Sequence, residues 1–247
     1  MAKVKPKIFR SNLADELRTL ADILAREKLC RDVKPLRDAE EECRSGKDIK
    51  WGYEINGLVF GLNDVKNAVP TNVVNVNLEL SVKVSGICLD DDHLGDPFQE
   101  LEFNIVIGGE HNTGAKIKKV MCSWHLDRDL PLKPGATHRF MHPFYHFQHG
   151  GHHTWNKQYS YGAALILETP RFAHPPMDGI LGVDFVLTNH LLTKTLEFRE
   201  EDDYSRILLS AQRRVWRPYV HALATAWGAA PPTCNWPYKT LWPQLMP

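Results

Sequence analysis

From Val74 to Val84, apolar and polar residues change places at every step. Val74, Val76, Leu78, Leu80, Val82 and Val84 alternate with Asn75, Asn77, Glu79, Ser81 and Lys83. Successive side chains of a strand point to opposite faces, so the pattern predicts a strand with one buried and one wet face. Leu101, Phe103, Ile105 and Ile107 repeat it, closed by Gly108-Gly109 and the turn residues Asn112 to Gly114. A third strand is predicted from Ile117 to Asp127. Val120, Cys122, Trp124 and Leu126 share one face; Met121, Ser123, His125 and Asp127 share the other. Residues 51–62 read as a shorter strand, and residues 144–149 as an extended segment ended by Gly150-Gly151. The apolar run Ala163 to Leu167 predicts a strand buried on both sides. Short loops between consecutive strands predict an antiparallel meander.

The period changes at both ends of the chain. Residues 11–30 predict a helix capped by Ser11 or Asn12, with Leu13, Leu17, Leu20 and Leu24 on one stripe. That stripe packs on the rest of the domain or forms a dimer seam. A short charged helix follows Pro35 over residues 36–45 and ends near Gly46. Asp178 is placed to cap a helix over 179–192. Asp202 or Asp203 caps a last helix that Pro218 kinks and Gly228 stops. The chain contains no repeat and no linker. The pattern is therefore α+β in one domain: N-terminal helices (1–48), an antiparallel sheet (51–169), two C-terminal helices on one face (178–228) and a tail rich in proline and tryptophan (231–247).

Charge removes several functions. Thirty basic and thirty acidic residues cancel, which argues against a nucleic-acid surface; Lys116, Lys118 and Lys119 form only a local patch. No run of eighteen apolar residues occurs, so no membrane span is predicted. Met1 to Arg10 is basic but lacks the apolar segment of a signal peptide. Five cysteines without paired spacing point to free thiols, a cytoplasmic setting and no thiolate zinc site.

The candidate chemistry sits in the histidines. Six of the twelve fall between His138 and His153, and imidazole is the side chain that relays protons or binds metals near neutral pH. His125-x-Asp127 puts an imidazole and a carboxylate on one strand face. With a later histidine they would make a facial triad for non-haem iron, and in that respect the pattern resembles 2-oxoglutarate-dependent oxygenases. That family also uses a basic residue after the distal histidine, and Lys157 is the nearest one here. The ligands of a metal-dependent oxygenase or hydrolase would come from His125, Asp127, His146, His149 and His174, holding iron or zinc. The bland alternative is a solvated strand face and loop histidines without a role. Asp90-Asp91-Asp92 reads as a solvated turn. Cys122 reads as core, and acidic neighbours disfavour a thiolate at Cys88. No nucleophile elbow and no phosphate loop is present.

The order of N-terminal helix, meander, crossover with His142-Pro143 and His174-Pro175, then two helices resembles the layout of ubiquitin-conjugating enzymes and their inactive relatives. No cysteine lies between Cys122 and Cys234, so the resemblance implies a relative that binds rather than conjugates. A non-catalytic binding or adaptor protein is thus the leading expectation, and a metal-dependent enzyme the alternative. The expected partner is another protein or a second copy, met by Trp236, Tyr238 and Trp242. Removal of residues 231–247 would then leave a folded chain that loses its partner.

Overall fold

The computed structural model describes residues 5–63, 65, 68, 70–90, 92–129, 142–150, 171–229, 231, 233, 234 and 236–245. The predicted strand at Ala163 to Leu167, and His138, His152, His153 and Lys157, lie outside the described residues.

The first helix, α1 (Pro6–Arg26), starts earlier than the sequence predicts. Pro6 occupies the first turn, where a fixed φ suits the helix and a missing N–H costs nothing. Ser11 and Asn12 therefore lie inside the helix. Leu13, Leu17, Leu20 and Leu24 are buried in the core, which settles the stripe as an internal packing face. α2 (Lys34–Ser45) lies beside α1 and covers the first strand.

The sheet has six strands in sequence order: β1 (Lys50–Gly61), β2 (Val73–Ile87), β3 (Glu100–Asn112), β4 (Ile117–Arg128), β5 (Tyr145–His149) and β6 (Phe172–Ala173). Every neighbouring pair is antiparallel. Leu78, Leu80, Val82 and Val84 face the core with Phe103 and Ile105, as their alternation predicts. Val74 does not. Asn75 has a φ of 54°, and the β2–β3 register slips between Val74 and Asn77. The extra residue of that bulge turns Val74 to the outer face, where it is exposed.

α3 (Gly179–His190) and α4 (Asp202–Ala224) complete the helical layer. The α+β order expected from the periodicity is what the chain forms. Asp178 caps α3, its Oδ1 accepting from the N–H groups of Ile180 at 3.1 Å and Leu181 at 3.0 Å. Gly182 lets α3 approach the sheet: a Cβ there would stand 2.5 Å from Cε2 of Phe103. α4 continues through Pro218, and Gly228, at a φ of 67°, closes the turn after it.

Arg214 of α4 is the polar pin of this layer. Its Nη1 donates to Glu16 of α1 at 3.0 Å and its Nη2 to Asp178 at 2.8 Å. All three side chains are buried or nearly so. A buried charge is tolerated only when paired and hydrogen-bonded, so this triad fixes how α1, α3 and α4 meet.

The described part of the tail lies along the fold. Trp236 is buried beside Phe144, Tyr145 and Tyr219, with ring centroids 6.2–6.3 Å apart. The short helix α5 (Tyr238–Leu241) packs on α4 and buries Leu241, and the N–H of Phe144 donates to the carbonyl of Thr240 at 3.1 Å. Among the described tail residues, Trp236 and Leu241 thus belong to the core, while Trp242 stays exposed.

Candidate functional site

The β4–β5 ladder sets Asp127 opposite His146 and His125 opposite Gln148. Directly opposed residues share a face, so these four stand together on the side turned away from the helices. Leu126 and Phe147 take the inner side. His125 Nε2 lies 3.3 Å from Asp127 Oδ2. Ser123, on the same face, donates to the carbonyl of Gly150 at 2.7 Å and pins the end of β5.

His146 is the most constrained member. It is buried, and its Nδ1 lies 3.1 Å from the carbonyl of Pro143. A carbonyl can only accept, so Nδ1 carries the proton and Nε2 keeps its lone pair. Burial pushes the imidazole pKa down to about 4. The Pro143 bond opposes that change, and positive charge on His142, Arg171 or His125 adds to it. The His142 ring stands edge-on to it at 5.3 Å. At neutral pH His146 is a fixed, uncharged imidazole that can accept a hydrogen bond or a proton.

His149 and His174 belong to the opposite face. His149 meets Trp124 edge-on at 4.9 Å. His174 packs on Phe147 at 5.4 Å and Phe185 at 6.0 Å. Its Nδ1 lies 2.6 Å from the carbonyl of Pro175, and burial lowers its pKa. The five side chains considered as metal ligands therefore divide by face, with His125, Asp127 and His146 on one side of the sheet and the other two on the second. Iron or zinc needs at least three donors around one point. Among the described residues, no three His, Cys, Asp or Glu side chains are so placed.

Burial holds four of the thiols, Cys30, Cys43, Cys88 and Cys122, away from the thiolate form. All five cysteines are free. Burial pushes Cys30 up to about 11 and Cys43 to about 12, and raises Cys88 and Cys122 as well. A thiol so raised stays protonated at neutral pH.

At the C-terminal end of α4 the surface turns apolar. Trp227 is 67% exposed, Val220 58% and Trp242 39%. Trp227 lies seven positions after Val220, which brings both to one side of the helical segment. Of the aromatics proposed from sequence as partner anchors, Trp236 is in the core, Tyr238 is half-buried and Trp242 is open. The sequence pattern does not single out Trp227 and Val220, because both fit the helical run. The signal that could have found them was a tryptophan directly before the stop glycine, past the last buried position.

No family model, no curated protein and no solved structure matches the chain. Among the described residues, no helix is long and apolar enough to cross a membrane.

Proposed function

We propose that the protein is a non-catalytic binding or adaptor protein that docks another protein surface at the C-terminal end of α4. The observation that carries this reading is the exposure of Trp227, with Val220 on the same helical segment and Trp242 at the end of the adjoining short helix. Tryptophan is among the residues that dominate interface energies, and a large apolar surface left in water marks a contact site. The raised thiols of Cys30, Cys43, Cys88 and Cys122 and the layout resembling ubiquitin-conjugating enzymes without their cysteine agree with binding rather than turnover. The free cysteines fit a cytoplasmic setting.

The test is a photo-crosslinking side chain placed at Trp227 in cells of the protein's own source, with exposed Ile117 as the control position. The expected outcome is one adduct of defined mass from position 227 and none from position 117. The mass distinguishes a second copy from a different protein. Absence of a defined adduct from positions 227, 220 and 242 alike removes the reading.

A further inference from the structure

A cavity of about 690 Å³ opens between α1 and α4 beside the end of β2, within the size range of small-ligand sites. Phe9, Leu13 and Trp51 form its apolar side, with Phe9 and Trp51 in ring contact at 6.0 Å. Leu209, Arg213 and Arg217 face it from α4 at spacings of four, which brings them to one side of the helix.

The charges in this cleft do not cancel evenly. Glu16 shares the Arg214 guanidinium with Asp178 and also accepts from Ser210 at 2.5 Å. Asp90 and Asp202 line the cleft but are solvent-exposed. His93 also faces it. Arg213 and Arg217 have no ion pair among the described residues, and the Nε of Arg217 is shut off from solvent without a hydrogen-bond partner. A shielded donor without a partner is a destabilising feature that an acceptor would remove. Guanidinium groups bind carboxylate and phosphate oxygens through charge-assisted bonds.

We propose that this cleft binds a small organic anion, with a carboxylate or phosphate between Arg213 and Arg217 and an apolar body against Phe9 and Leu209. The site is separate from the Trp227 surface, so either reading can fail alone.

Two probes test it. 8-Anilinonaphthalene-1-sulfonate, an aromatic anion, is titrated by fluorescence, and octanoate and octanol compete for it. The expected result is saturable binding of one probe per chain, displaced at least tenfold more readily by octanoate than by octanol. The Arg213→Gln/Arg217→Gln variant should bind at least tenfold more weakly with a thermal midpoint no lower than that of wild type. If that variant does not fold, Leu209→Glu, at an exposed position, puts a repelling carboxylate at the mouth and should weaken binding equally. Absence of saturable binding overturns the proposal. So does equal competition by octanol, or an affinity within twofold of wild type in the folded variant.

Discussion

His146 shows how one buried side chain ties stability to pH. Its folded pKa of about 4 lies below the usual histidine value of 6.5. Between these values the unfolded chain binds a proton that the folded protein refuses. Stability is therefore whole above pH 6.5 and is lost as pH falls through that window. The loss is roughly 3 kcal/mol, since a tenfold change in proton affinity is worth about 1.4 kcal/mol. Urea melts at several pH values should show the midpoint dropping, and His146→Gln should flatten part of the fall. His174 and His190 are also lowered by burial and keep the remainder. An identical slope in the variant would mean that His146 protonates freely in the folded state. His125 and Asp127 were legible in the sequence as a same-face pair, because strand parity is local. That His146 joins them and His149 does not depends on the β4–β5 register, which no local pattern reports.

The contact of α3 with the sheet rests on the absence of a side chain. Gly182 sits where a Cβ would meet the Phe103 ring. Gly182→Ala should destabilise by about 1–3 kcal/mol in urea melts, because the overpacking cost exceeds the helix propensity that alanine adds. Gly61→Ala, at a position with no neighbour within 4 Å, serves as the neutral comparison. A Gly182→Ala protein as stable as that control would show that Phe103 moves aside freely. The strands β2 to β4 were readable because alternation registers burial on one face. The bulge at Asn75 was not. Asparagine tolerates a positive φ, but it stood in a polar position of an unbroken alternation, so nothing signalled the slip that exposes Val74.

The layers of the molecule are closed by a segment that the sequence presents as a partner surface. Trp236 fills a space between β5 and α4, against Tyr145 and Tyr219. Trp236→Ala should cost about 3–5 kcal/mol. A chain ending at residue 230 should lose its cooperative thermal transition or melt far below the full-length protein. A truncated chain that melts like the full-length one would place the tail outside the core.

The buried ion triad follows the same logic at long range. Glu16, Asp178 and Arg214 are unremarkable one by one, and only the packing of three helices makes them a single polar unit. Alternation, helical period and the cap at Asp178 are short-range properties, written in neighbouring residues, and they set the element types and their order. The cleft between α1 and α4, the facial division of the histidines and the burial of Trp236 arise from residues far apart in sequence. They were decided when the elements packed, because burial and the pairing of charges are properties of the space between elements.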